Sequence, residues 1–189
     1  MAMPQTAPRQ GEWTVEDVRR LPDDRNRYEV VAGVLFVTPA PSFGHQEAAF
    51  ALARRLSDYV KRHRIGWAVM APADFIVDSR TMVEPDVFVA PLVDGRRPRG
   101  PEEVPHLLLS VEVLSPGTSS RDRGAKRLLY QQHADEYWIV DLDSRIVERW
   151  RPGDDRPEVC HDQLAWSPPG APEPLLLDVA ALFADVLEI

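Results

Sequence analysis

Residues 106–114 constrain this chain more than any other stretch. They read His-Leu-Leu-Leu-Ser-Val-Glu-Val-Leu, an almost unbroken apolar run interrupted by one carboxylate, Glu112. A strand covered on both faces reads as a continuous apolar run, whereas a strand with one wet face alternates. The segment therefore predicts the central strand of a sheet with layers on both sides. With 189 residues, 44 % of them apolar, the chain can build one core of that kind. Glu112 is the anomaly. Burying a carboxylate in an apolar strand is costly unless it is paired or binds a cation. Either Glu112 reaches water or an arginine at a strand end, or it belongs to a site.

The flanking pattern alternates strands with helices, as expected of an α/β domain spanning residues 13–189 behind a disordered tail, residues 1–12. Thr14 with Asp17 three residues on predicts a capped short helix. Residues 28–37 predict two strands broken at Gly33. Ser42 is a candidate N-cap for a long helix to about Arg64, with Ala49, Leu52, Ala53, Leu56, Tyr59 and Val60 at helical spacing. Residues 67–77 and 86–90 suit one strand each, and 91–105, rich in Pro, Gly and Arg, a loop. A helix is predicted from about Ser120 to Gln132, then a hairpin from 136–141 and 145–150. The remainder reads as proline-rich loop closed by a helix over 178–187. Its Leu175, Leu176, Leu177, Leu182, Phe183 and Leu187 serve either domain packing or self-association.

Charge and cysteine content narrow the classes. The formal net charge of −8 disfavours tight nonspecific binding to nucleic acid, which phosphate neutralisation drives. Basic residues do cluster locally, as Arg54, Arg55, Lys61, Arg62 and Arg64, then Arg96, Arg97 and Arg99, then Arg121, Arg123, Lys126 and Arg127. These are solvated faces or, in an enzyme acting on nucleic acid, phosphate contacts. The single cysteine, Cys160, excludes an internal disulfide and disfavours a cysteine-based zinc site. His63, His106, His133 and His161 form no metal-binding spacing. No 18-residue apolar run predicts a membrane span, and the first ten residues lack the apolar segment of a secretory signal. A cytoplasmic setting is the expectation.

Asp86, after Pro85 and opening a short apolar strand, is weak evidence by itself. Combined with Glu112 and a lysine on the next element it is stronger. Two carboxylates on neighbouring strands suit Mg²⁺, which takes hard oxygen ligands and keeps several waters. A nearby lysine can offset charge on a phosphoryl transition state. The combination fits a metal-dependent phosphodiesterase.

The ordered set Tyr28-Glu29, Gly33, Pro41-Ser42, His45, Pro85-Asp86-Val87, Glu112-Val113-Leu114-Ser115-Pro116, Asp122, Lys126, Tyr130 and Glu136-Tyr137-Trp138-Ile139-Val140-Asp141 resembles the Uma-type restriction-endonuclease family of the PD-(D/E)XK nuclease superfamily. The resemblance covers roughly residues 12–150. It implies a restriction-endonuclease-like core, a central mixed β-sheet flanked by helices, and a DNA endonuclease using Mg²⁺ or Mn²⁺. It implies Asp86 and Glu112 as metal-binding acids, with the Val113 carbonyl as a further ligand. The superfamily usually carries its lysine two residues after the second acid. Here that position is Leu114, and Lys126 on the following helix matches instead, a placement ~9 Å along a helix that turns back along the sheet. Glu29 matches an accessory acid and His45 the family's histidine. Asp122 either pairs with Lys126 at helical spacing or orients it. Glu84 departs from the family pattern, which often has Arg or another polar residue there; a further carboxylate repels phosphate or adds a ligand. The resemblance also implies a homodimer. The alternative is a nucleic-acid-binding or assembly module of the same fold with an inactive site. A third class is a metal-dependent hydrolase that acts on something other than nucleic acid.

Overall fold

The structure is a computed structural model that describes residues 9–115 and 117–187. Residues 1–8 of the expected tail lie outside the described residues. Residues 9–12 form a turn, in which the Gly11 N–H donates to the Gly33 carbonyl at 2.9 Å. A short helix α1 (Val15–Val18) follows, closed by a reciprocal capping box between Thr14 and Asp17. Strands β1 (Arg27–Val31) and β2 (Val34–Thr38) form a hairpin. Its turn residues Ala32 and Gly33 have φ of 50° and 80°, the left-handed values that match the twist of paired strands. A Cβ at Gly33 would lie 2.5 Å from the Gly11 carbonyl oxygen, so the close approach of the N-terminal turn requires glycine there.

Helix α2 (Phe43–His63) is capped by the Ser42 hydroxyl and ends at Arg64 in a left-handed conformation. The single strand expected over 67–77 is two: β3 (Gly66–Met70) and β4 (Phe75–Asp78). Between them, Pro72 has no N–H for a ladder, and the two strands join different sheets. Next come β5 (Thr81–Val83), β6 (Val87–Pro91), a 3-10 turn at Pro101–Glu103 inside the expected loop, and β7 (Leu109–Val113). The helix expected near Ser120 is composite. It comprises α3 (Ser119–Arg121), a π-helical turn (Asp122–Lys126) and α4 (Arg127–His133). β8 (Tyr137–Asp141) and β9 (Ile146–Trp150) form the expected hairpin. The C-terminal region holds β10 (Glu158–Cys160), β11 (Gln163–Trp166) and β12 (Leu175–Asp178) where only loop was expected, then α5 (Val179–Leu187).

A six-stranded mixed sheet, β10-β9-β8-β7-β6-β3, carries the molecule; β7 and β8 run parallel and the other pairs antiparallel. A four-stranded antiparallel sheet orders as β2-β1-β5-β4. One face of the large sheet, with Val87, Val89, Val111, Trp138 and Val140, packs on α2 and α5. The other, with Phe88, Tyr137 and Ile139, packs on Tyr130 of α4 and on Phe75 and Val83 of the small sheet. Thus β7 is buried on both faces, every residue of it, as its apolar run predicted. Leu177, Leu182 and Phe183 pack into the core, while Leu176 and Leu187 stay exposed.

Candidate active site between the two sheets

Antiparallel pairing of β6 with β7 sets Val87 opposite Val111. One step further, at the end of the ladder, Asp86 comes level with Glu112. Successive residues of a strand alternate faces, so the two carboxylates share the face that looks toward the small sheet and the composite helix. Asp86 is 2 % exposed and Glu112 1 %.

Both Asp86 oxygens are engaged. Oδ1 accepts from Arg27 Nη1 at 2.7 Å, and Oδ2 accepts from the Val113 N–H at 2.8 Å and lies 3.0 Å from His45 Nε2. Burial opposes the Asp86 charge, but the His45 hydrogen bond and Arg27 outweigh it and hold the carboxyl well below the usual carboxylate range. His45 reaches Asp86 from the first turn of α2, where its own N–H is capped by the Ser42 hydroxyl at 3.3 Å.

Glu112 Oε1 accepts from Lys126 Nζ at 2.6 Å and from the Tyr130 hydroxyl at 3.0 Å. Lys126 is fully buried, with Nζ also 2.7 Å from Glu29 Oε1. The same Glu29 oxygen accepts the Glu84 N–H at 2.9 Å. Burial, then the negative charges of Asp86, Asp122 and Glu29, raise Glu112 well above an ordinary glutamate despite Lys126. Burial also disfavours the Lys126 charge, but Glu112, Glu29 and Asp122 overcome it and raise the lysine. Glu29 moves the other way: Lys126, Arg27 and Arg121 outweigh burial and lower it. Lys126 thus sits between two carboxylates shifted in opposite directions, Glu29 down and Glu112 up.

Asp86, Glu112, Lys126, Glu29 and His45 therefore form one connected cluster. Val113 joins it through its N–H, which donates to Asp86 Oδ2. Asp122 is buried next to Lys126, but its Oδ1 has no hydrogen-bond partner. Glu29 Oε2 is likewise buried without one, 3.6 Å from Arg121 Nη2. Sequence reading passed over Arg27 and the function of the Tyr130 hydroxyl, and named Arg121 only within a basic cluster. Two signals were available. Arg27 precedes Glu29 by two residues on one strand and so shares its face. Tyr130 follows Lys126 by four, which stacks them on a helix.

A cleft of about 960 Å³ opens beside the cluster and is lined by Arg25, Arg27, His45, Glu84, Asp86 and Arg123 among others. Asp86 faces it; Glu112 and Lys126 sit behind. Glu84 on its wall is pushed up to about 7, by burial first and by Asp74 next. Among the described residues, no three His, Cys, Asp or Glu side chains group closely enough to hold a metal ion by themselves.

A family model described as "putative restriction endonuclease", Uma2, matches residues 15–180. The chain belongs to the Uma2 family. Asp86, Glu112 and Lys126 all fall inside the Uma2 match. A Uma2-like fold is seen in the crystal structure of a protein from Anabaena variabilis described as a "putative nuclease belonging to DUF820". It is 22 % identical, with a TM-score of 0.75, over 93 % of this chain and 99 % of that one. That similarity establishes the restriction-endonuclease-like architecture of this Uma2 chain. No curated protein matches it.

Proposed function

We propose that this Uma2 chain is a metal-dependent DNA endonuclease, with Asp86 and Glu112 holding Mg²⁺ or Mn²⁺ and Lys126 serving the second of them. The observation that carries the reading is the juxtaposition of the two carboxylates across β6 and β7, with a buried lysine on Glu112 and a cleft on the Asp86 side. The donor set fits the ion. Both candidates are hard oxygen donors, and a Mg²⁺ site uses one or two carboxylates with waters and substrate phosphate completing the shell. A bound divalent cation would supply charge neutralisation at the phosphate and a lowered pKa for water.

The chain's own residues supply the rest. Lys126 and Tyr130 hold Glu112 Oε1 in place, which would leave Oε2 for the cation. Glu29 anchors Lys126 from the opposite sheet. His45 and the Val113 N–H fix the rotation of Asp86. The cleft admits the DNA backbone alongside Asp86, where Arg25 adds positive charge; Arg123 on the same wall is paired with Asp141 and Glu148.

The test is cleavage of plasmid and short single-stranded DNA with Mg²⁺ or Mn²⁺ against EDTA. Wild type is expected to cut only with the cation, and Asp86→Ala or Glu112→Ala to abolish cutting while the circular dichroism stays native. Full activity in either variant would refute the mechanism. A second reading, an inactive binding or assembly module, draws on the closure of the site: Glu112 is held by Lys126 and Tyr130, and Asp86 is already occupied by Arg27 and His45. It predicts that titration calorimetry finds DNA binding with no cation binding, and that Glu112→Gln changes neither.

A further inference from the structure

Arg27 stands where the proposed cation must act. Its Nη1 is 2.7 Å from Asp86 Oδ1 and 3.1 Å from the Glu84 carbonyl oxygen. Its side chain is 18 % exposed, on the cleft wall. The Glu112, Asp86 and Glu29 charges raise its pKa against burial, so it is a permanent cation. A guanidinium and a divalent ion compete for one carboxylate oxygen, and each repels the other at this range. The guanidinium also has donors beyond the two contacts made by Nη1. It is planar and matches phosphate as well as carboxylate.

We infer that Arg27 is an internal counter-ion of Asp86 that is displaced by the incoming cation and then grips the DNA phosphate in the cleft. The inference rests on the reading of Asp86 as a cation ligand. In the resting chain Arg27 neutralises a buried carboxylate whose other oxygen is held by His45 and the Val113 N–H. On loading, the cation takes over that neutralisation, and the attraction of Arg27 to Asp86 falls. The freed guanidinium then faces an open cleft whose expected occupant is an anion. Arg27 thereby couples two events: the site binds phosphate well only after it has bound metal.

The experiment compares Arg27→Gln and Asp86→Asn with wild type in two measurements. Mn²⁺ binding is followed by titration calorimetry without DNA. Binding of a short duplex is followed by fluorescence anisotropy, in EDTA and in Ca²⁺, which takes the same oxygen ligands. Losing a charged hydrogen bond to Asp86 is expected to tighten Mn²⁺ binding by Arg27→Gln about ten-fold or more. The same variant is expected to bind duplex about ten-fold more weakly in Ca²⁺ and like wild type in EDTA. A merely structural arginine would not tighten cation binding when removed. If Asp86→Asn abolishes Mn²⁺ binding while Arg27→Gln leaves it equal or weaker, the counter-ion role is wrong and the metal reading stands. An equal loss of duplex affinity in EDTA and Ca²⁺ overturns the hand-over. If Asp86→Asn binds Mn²⁺ like wild type, the metal reading itself fails and takes the inference with it. Should Arg27→Gln unfold, Arg27→Met, whose unbranched stem covers the same wall, is read by the same criteria.

Discussion

Lys126 is held between Glu29 and Glu112 without any access to water, and its removal has a predictable cost. Breaking a buried ion pair from one side leaves uncompensated charge, typically ~3–5 kcal/mol. Lys126→Met is expected to lose that much in urea unfolding at pH 7.5. With the lysine gone, Glu29 and Glu112 both become reluctant to ionise, so the deficit should shrink as pH falls toward 4.5. A deficit that stays constant with pH would argue against the pairing. Glu84 offers a second residue-scale test. Folded, it keeps its proton to about 7, and unfolded it releases it near 4.5. Its stabilising contribution is complete below about 4.5 and is lost as pH rises through 7. Glu84→Gln is therefore expected to narrow the stability difference between pH 5 and pH 7.5. An unchanged difference would remove Glu84 as its source.

Among the elements, the composite helix explains what the sequence could and could not tell. Ser120 to Gln132 read as one α-helix from its spacing, and the two flanks are α-helical. The π turn at Asp122–Lys126 was not legible. A π turn inserts one residue into the helical repeat, and such insertions recur at functional sites. It lies where Asp122 and Lys126 are buried while Arg121 must reach Thr38, to which its Nη1 donates at 3.0 Å. That demand is tertiary and leaves no mark on local periodicity. The central strand was legible because burial on both faces writes itself into composition. The C-terminal strands β10, β11 and β12 were not. They are short, and prolines surround them. In the site, the carboxylates and the lysine could be read from the sequence, Glu112 as an anomaly in its strand and Asp86 and Lys126 by the order of motifs. Arg27 was passed over, since an arginine opening a strand looks like any solvated end and only the face it shares with Glu29 marks it. Deleting Gly124 would restore an α-helical repeat. It is expected to keep far-UV circular dichroism while abolishing metal-dependent cleavage; retained cleavage would show the π turn to be incidental.

At the scale of the molecule, the charge of −8 and the proposed DNA substrate pull in opposite directions. The resolution we favour is local: part of the acidic excess lies inside, in Glu29, Glu112 and Asp122, where DNA does not meet it. Binding should then be strongly salt-dependent despite the net charge. The homodimer that the resemblance implies also belongs here. Phe43 is 96 % exposed and Phe50 53 %, and their spacing of seven sets them on one face of α2. Sedimentation at micromolar concentration is expected to give a dimer, and Phe43→Ser with Phe50→Ser to shift it toward monomer. A wild-type monomer would remove the dimer.

The cluster draws Glu29, His45, Asp86, Glu112 and Lys126 from five separate stretches of the chain. Contacts of that kind form only after long loops have closed. A chain still emerging from synthesis has no lysine to set against Glu112 until the crossover from β7 to β8 is made. The proposed cutting activity would thus be born in one step with the finished fold, and an incomplete or half-unfolded chain would be harmless to the DNA around it.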